Sequence, residues 1–235
     1  MSANAEILRE PETLAIREGE AALPVFEAAG ERDTWNPEHF AREQILGLVR
    51  QVFLSSSPLP IKQVVFSAAE SNIDVAGICE RVAFALSRET PSQIALLDWD
   101  AEVGKKPSLR VHSKNPPSFK SGSTQLSPNL WRIPKNCGSL NGDSRPGRHR
   151  TSFLTELRGE FEYTVITGPV AGISSEAALL GQITDGLILV LAAHSTRKAT
   201  AKKLKETLQA SQTRILGTIL AERTFPIPQG IYRRL

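Results

Sequence analysis

The stretch 63-QVVFSAAESNIDVAGICE-80 decides the fold of this 235-residue chain. Its pattern predicts a buried strand over residues 64–66, a loop over 67–74 and a helix over about 75–85. A strand, a tight loop and a helix N-terminus can hold a polyphosphate, because the loop amides and the helix dipole both point at the anion. The candidate phosphate-binding loop consists of Ala68, Ala69, Glu70, Ser71, Asn72, Ile73, Asp74 and Val75.

Two carboxylates follow the next predicted strand, residues 94–97. Asp98 and Asp100 stand at its carboxyl end, where ligands bind in open α/β sheets. They are candidates either for vestigial catalytic residues at an empty site or for residues that still bind a cation. The sequence predicts no metal site of the zinc type, because no Cys or carboxylate stands at ligand spacing from His112, His149 or His194.

The composition is that of a soluble globular protein, with 40% apolar and 23% charged residues. Its length suffices for one α/β domain with a sizeable core. No apolar run approaches the roughly 18–20 residues of a membrane span, and the acidic N-terminal region lacks the pattern of a secretory signal. Two cysteines do not make a disulfide framework, and Cys79 falls on the apolar side of its helix, where we expect core. These features predict a cytoplasmic protein.

Charge is distributed unevenly along the chain. Residues 1–35 carry eight acidic and three basic side chains, and they predict a flexible acidic arm. Residues 101–150 carry ten Lys and Arg against two acids, with six Pro and five Gly. Such a stretch could contact nucleic acid or anionic lipid. Because it has few aromatic residues and no helical periodicity, we expect a solvated loop over about 101–128 and no nucleic-acid partner.

The remaining elements alternate between helix and strand. Asn36 and Pro37 are a favourable helix start, and apolar residues at helical spacing continue that helix to about residue 54, with a stripe that packs on the sheet edge or on another subunit. The pattern then predicts strands over 129–133, 163–167, 186–192 and 215–220, and helices over 151–161, 176–183 and 196–210. This alternation favours an α/β fold with a three-layer, doubly wound, mainly parallel sheet.

The order of motifs makes the assignment specific. Ser67-Ala68 begins the loop, and further motifs occupy residues 96–100 (LLDWD), 161–170 (FEYTVITGPV), 185–190 (DGLILV) and 215–220 (ILGTIL). In this order, residues 40–235 resemble the bacterial tyrosine kinases of capsular and exopolysaccharide synthesis, in the MinD/ParA-like branch of P-loop ATPases. The resemblance implies the P-loop NTPase type of sheet over 36–235. It also implies ATP and magnesium as cofactors in the family and docking on a membrane partner.

The chain departs from the family at the positions that carry its chemistry. The two loop glycines of the family fall on Ser71 and Ile73, the phosphate-binding lysine on Asp74 and the magnesium-binding hydroxyl on Val75. The metal-binding aspartate of the third motif falls on Thr167. Other family positions also differ: the adenine-contacting asparagine falls on Ala221, the oligomerisation motif after Glu43 continues with Leu46 and Val49, and the C-terminal tyrosine cluster is reduced to Tyr232.

These departures predict weak nucleotide binding. A β-branched Ile73 resists the backbone conformations that glycine adopts. An acid at position 74 would face the phosphates, and like charges about 4 Å apart repel by roughly 4 kcal/mol at an effective dielectric near 20. We therefore expect no bound ATP or magnesium and no catalytic residues. A second interpretation of Asp74, as the N-cap of the helix, is compatible with an empty loop.

Three functions remain open on this evidence. The first is a catalytically degenerate relative of the kinases that acts by binding, to a membrane-embedded chain-length regulator, to an active kinase paralogue or to further copies of itself, in the cytoplasm or at the inner face of the plasma membrane. The second is an active tyrosine autokinase or ATPase that uses Asp98. The third is a MinD/ParA-like positioning protein that contacts DNA or membrane through residues 101–150. The lysines of the 196–210 helix form either a solvated face or a partner-binding surface: Lys198, Lys202, Lys203 and Lys205.

Overall fold

A computed structural model describes residues 37–56, 59–99, 118–133 and 146–222 of the chain. The helices are α1 (Pro37–Val52), α2 (Val75–Glu89), α3 (Pro146–Glu160), α4 (Glu176–Ile183) and α5 (Lys198–Ala210). The strands are β1 (Gln63–Ala68), β2 (Ile94–Asp98), β3 (Thr124–Ser127), β4 (Leu130–Ile133), β5 (Tyr163–Thr167), β6 (Gly186–Ala192) and β7 (Ile215–Ala221). The predicted acidic arm over 1–35, Asp100, Cys137 and Tyr232 lie outside the described residues.

The strands form one sheet in the order β3-β4-β2-β5-β1-β6-β7. Every pairing in it is parallel except that of β3 with β4. The strand order reverses around β1, which lies between β5 and β6 and is buried along its whole length. The predicted α/β fold with a doubly wound, mainly parallel sheet is confirmed.

Alternate residues of the central strands supply two separate cores. In β1, Val64 and Phe66 belong to the core under α1 and α2, whereas Val65 belongs to the core under α3, α4 and α5. In β6, Ile188 and Leu189 divide in the same way. Side chains point to opposite faces with a period of two, so a strand buried on both faces is mainly apolar. This explains the apolar runs 64–66 in β1 and 187–192 in β6 and gives the molecule its three layers.

The last turn of α1 packs on α2 and on the interior of the sheet. Val49 and Phe53 are buried there, and the Phe53 ring meets the Tyr163 ring edge-on at 5.9 Å between centroids. Arg50 adds an ion pair to Glu89 at 2.9 Å. The predicted packing on a sheet edge is wrong, because Tyr163 lies on β5 in the middle of the sheet. Tyr163 thus serves packing on this face of the sheet.

Two elements were not predicted. Residues Phe119–Gly122 form a 3-10 turn, and Thr124–Ser127 form the edge strand β3, both inside the region predicted as a loop over 101–128. The four residues of β3 are polar except Leu126, with two exposed and two half-buried side chains, and they leave no alternating pattern for a sequence-based prediction to detect. Among the described helices, none is long and apolar enough to cross a membrane.

Candidate functional site

The carboxyl ends of β1, β2 and β5 meet at one edge of the sheet. Phe66 on β1 pairs with Thr167 on β5, and Asp98 on β2 pairs with the same threonine. Since residues 68–75 continue directly from β1, the structure brings the candidate loop, Asp98 and Thr167 together, as the sequence predicted. This edge, at the point where the strand order reverses, is where ligands bind in open α/β sheets.

Backbone hydrogen bonds hold the loop in place at both of its ends. The Ala69 amide donates to the Val190 carbonyl at 2.9 Å, which ties the loop to β6. The Val75 amide donates to the Ile73 carbonyl at 3.0 Å. A phosphate-binding loop works by turning such amides toward the anion, and these two amides already donate to carbonyl oxygens of the protein.

Two apolar side chains anchor the loop in the core. Ile73 is 8% exposed and Val75 is 6% exposed, and both belong to the core shared by β1 and α2. Ile73 stands where the family has a glycine, and Val75 where the family has a hydroxyl. Both positions therefore contribute apolar packing in this chain.

Asp74 is the N-cap of α2. Its carboxylate accepts a hydrogen bond from the Gly77 amide at 2.9 Å, and a side chain at Gly77 would come within 2.3 Å of the same carboxylate. A carboxylate at this place satisfies an otherwise unpaired amide and is stabilised by the helix dipole. The N-cap interpretation of Asp74 is confirmed, and the residue occupies the position that an anion would take at the helix N-terminus.

The segment that follows β5 is hydrogen-bonded to the end of β1 and the start of the loop. The Gly168 amide donates to the Phe66 carbonyl and the Ala171 amide donates to the Ala68 carbonyl, both at 2.8 Å. The Ser67 hydroxyl donates to the Pro169 carbonyl. Gly172 approaches so closely that a methyl group there would come within 2.3 Å of the Ala69 carbonyl oxygen. We name residues 168–172 the strap, and it fixes the first half of the loop from outside.

A buried thiol lies behind this edge. Cys79, on α2, has no exposed surface, which confirms its prediction as core. Burial raises the pKa of the Cys79 thiol to about 12; a hydrogen bond with Thr167 lowers that pKa, and the charges of Asp98 and Asp74 raise it. Thr167, at the family's metal-binding position, thus faces a neutral thiol. The described residues contain no group of three or more His, Cys, Asp or Glu side chains that could hold a metal ion.

The Cys79 thiol should make stability depend on alkaline pH. The unfolded chain releases the thiol proton near pH 9, whereas the folded state keeps it to about pH 12. The stabilisation is therefore complete below pH 9 and is lost as the pH rises toward 12, by about 1 kcal/mol at pH 10. Urea unfolding of the wild type and Cys79→Ala at pH 8 and pH 10 measures it, since the variant should lack this part of the decline. Equal declines in both proteins would contradict the assignment.

Other polar groups at the site were not predicted. The Trp99 indole donates to the Glu176 carboxylate at 3.1 Å, and Arg150 pairs with the same carboxylate at 2.8 Å. Ser195, after β6, lies 3.5 Å from both the Asn72 amide nitrogen and a Glu70 carboxylate oxygen. The paired residues are 26 to 125 positions apart in the chain, so only the fold brings them together. The one sign of this group in the local sequence was that Trp99 directly follows Asp98, a predicted site residue.

Comparison with known proteins gives a short sequence match and a broad structural one. The tyrosine-protein kinase CpsD of Streptococcus agalactiae serotype III is 33% identical over 67 residues, which are 28% of this chain and 29% of CpsD. The chain thus matches less than a third of the length of this curated relative. No protein-family model matches the chain.

Solved structures share the fold over most of the chain. The VpsO kinase domain has a TM-score of 0.59 at 18% identity, over 80% of this chain and 98% of that domain. The cell division protein MinD of Aquifex aeolicus has a TM-score of 0.50 at 13% identity, over 74% of this chain and 72% of MinD. The chain therefore has the fold of the MinD/ParA-like P-loop NTPases, and the predicted resemblance to the bacterial tyrosine kinases is confirmed.

Proposed function

We propose that this chain is a catalytically degenerate relative of the bacterial tyrosine kinases that acts by binding in capsule or exopolysaccharide biosynthesis. The proposal rests on the conformation of residues 68–75, which we call the closed loop because the loop packs on the protein itself. Ile73 is buried in the core, and Asp74 caps α2. Both residues stand at positions where the family uses a glycine and a lysine to hold phosphate.

The residues present do not fit ATP and magnesium. Residues 68–75 contain no Lys or Arg, so the loop offers no cation to the β- and γ-phosphates. The Asp74 carboxylate would repel them. Val75 has no hydroxyl for the metal, and Thr167 has no carboxylate, so two groups that organise magnesium in phosphoryl transfer are absent. Asp98 remains at the edge of the sheet as a vestigial candidate, and Asp100 lies outside the described residues.

Partner binding is the function that an intact fold with a closed loop can still perform. The resemblance supports a membrane-embedded chain-length regulator, an active kinase paralogue or a second copy of this chain as the partner, and it supports a place at the inner face of the plasma membrane. The likeness to MinD supports the same class of function, because A. aeolicus MinD has been solved in complex with MinC.

Titration with a fluorescent ATP analogue and magnesium tests the proposal. We expect no saturable binding below about 1 mM, a concentration that corresponds to roughly 4 kcal/mol of binding free energy. Two variants show where any bound nucleotide lies. Asp98→Ala removes the candidate site carboxylate, and the control Glu156→Ala removes an exposed carboxylate on α3. Micromolar binding that Asp98→Ala abolishes and Glu156→Ala preserves would reject the degenerate function in favour of an active autokinase or ATPase.

A further inference from the structure

Helix α5 carries positive charge that the described part of the chain does not neutralise. Over residues 197–205 one arginine and four lysines are exposed: Arg197, Lys198, Lys202, Lys203 and Lys205. The helix contains a single acid, Glu206, and its contact with Lys202 is long, at 3.8 Å between two exposed side chains. Elsewhere, Arg132, Arg150 and Arg158 each have a carboxylate partner within 2.9 Å. Single-sign charge on one helix attracts partners of the opposite charge.

The helix is fixed so that these charges project outward. Leu204 is 8% exposed and Leu208 is 2% exposed, and both pack in the core beneath α3 and α4. Lys198, Lys202 and Lys205 stand at spacings of four and three residues, which places them along one side of the helix over about 10 Å. The apolar stripe is already buried, so α5 cannot insert into another apolar phase. Any partner is held by charge alone.

We propose that the exposed face of α5 binds the surface of an anionic lipid bilayer. Four Lys on one helix, with Arg197 at its N-cap, match the polybasic clusters that anionic headgroups attract. A lysine ammonium is a point charge suited to a diffuse layer of phosphates, whereas bidentate recognition of a single group favours arginine. The uncharged exposed residues of the helix are small or polar: Ala199, Thr200, Thr207, Gln209 and Ala210. The exposed surface of α5 offers no aromatic anchor of the kind that protein interfaces favour, and Arg197 at its N-cap is its one arginine. This inference concerns α5 and stands independently of the closed loop.

Co-sedimentation of the full-length protein with vesicles tests the proposal. Vesicles of phosphatidylcholine with about 30% phosphatidylglycerol should bind at about a millimolar of lipid, since each basic residue contributes about 1 kcal/mol near an anionic surface. Vesicles of phosphatidylcholine alone should not bind. Raising the salt concentration to about 0.5 M should release the protein, because the charges are exposed and become screened.

Two triple variants with the same change in net charge locate the surface. Lys198→Gln with Lys202→Gln and Lys205→Gln should weaken vesicle binding about a hundredfold. The matched control replaces three exposed arginines on α1 and α2 by glutamine, Arg42, Arg81 and Arg88, and should change binding less than threefold. Glutamine and lysine have similar helix propensities, so α5 stays folded.

Three results would overturn the proposal. In the first, the α5 variant binds as tightly as the wild type, which would assign the binding to another basic surface. In the second, both triple variants weaken binding equally, which would make net charge the cause. In the third, the protein binds duplex DNA but not vesicles, and the α5 variant abolishes the DNA binding. That result would assign the exposed face of α5 to nucleic acid. The ATP titration is unaffected by each of these, so a failure here leaves the proposed function intact.

Discussion

Replacement of Ile73 by alanine is expected to lower the free energy of unfolding by about 3 kcal/mol, the usual scale for truncating a buried isoleucine. The side chain is 8% exposed and belongs to the core between β1 and α2. Truncation removes apolar contacts and leaves a cavity that a packed core fills only in part. Urea unfolding at neutral pH measures the change as a lower transition midpoint at constant slope.

A neighbour in the same loop provides the control. Ser71 also stands at a family glycine, two residues earlier, but its side chain is exposed. Ser71→Ala should change stability by less than about 0.5 kcal/mol, as for ordinary surface substitutions. Ile73→Val should fall between the two, at about 1 kcal/mol. If Ile73→Ala were as mild as Ser71→Ala, the loop would be open and the observation behind the proposed function would be withdrawn.

The expected cost bears on the proposed function, because substitutions toward the family motif should destabilise this loop. A glycine at position 73 would remove the whole side chain from the core and would add backbone freedom to the unfolded chain. A lysine at position 74 would remove the carboxylate that caps α2. Each substitution toward the family motif therefore destabilises the fold before any phosphate binds. Under the proposed function, fold stability and phosphate binding would favour different residues at positions 73 and 74.

The central strands were predictable because each contains a short apolar run, and β5 and β6 are bounded by turn residues. Strand β5 ends before Gly168 and Pro169, and β6 begins at Gly186, so the predicted bounds 163–167 and 186–192 agree with the structure. Such runs belong to parallel strands covered on both faces. Helix α2 extends one turn further than predicted, through the buried Leu86 to Glu89. That turn depends on packing against the sheet.

The position of the site could be predicted from the sequence, but its structure could be predicted only in part. The sequence placed residues 68–75 and Asp98 at one edge because both follow parallel strands, and it offered the N-cap as one interpretation of Asp74. It gave no sign of the strap, since the bond from Ala171 to Ala68 joins residues 103 positions apart through their backbones. Backbone-to-backbone contacts carry no side-chain signature. Gly168 and Gly172 are the strap residues whose type the close contacts require.

Substitution of Gly172 by alanine is expected to loosen the strap and to lower the free energy of unfolding by about 2 kcal/mol, a typical cost of forcing a methyl group into a filled space. The new methyl group would lie 2.3 Å from the Ala69 carbonyl oxygen. That oxygen belongs to the backbone of the loop, so the contact cannot be relieved by turning a flexible side chain. Either the strap or the loop must shift.

Gly159→Ala is the matched control for this substitution. Gly159 lies in α3 with no atom within 4 Å of the position that its methyl group would take. Alanine should stabilise the helix there by up to about 1 kcal/mol. The same chemical change is therefore expected to act with opposite sign at the two glycines, which separates the close contact at Gly172 from any general effect of adding a methyl group.

Native-state hydrogen exchange locates the effect of Gly172→Ala within the molecule. The Ala171 amide, bonded to the Ala68 carbonyl, should exchange faster in the variant. The Gly168 amide, bonded to Phe66 at the start of the strap, lies farther from the new methyl group and should change less. Unchanged exchange at Ala171 together with unchanged stability would mean that the strap does not press on the loop. Faster exchange at Ala171 without ATP binding would instead show that the side chains of the loop exclude the nucleotide even when the strap is loose.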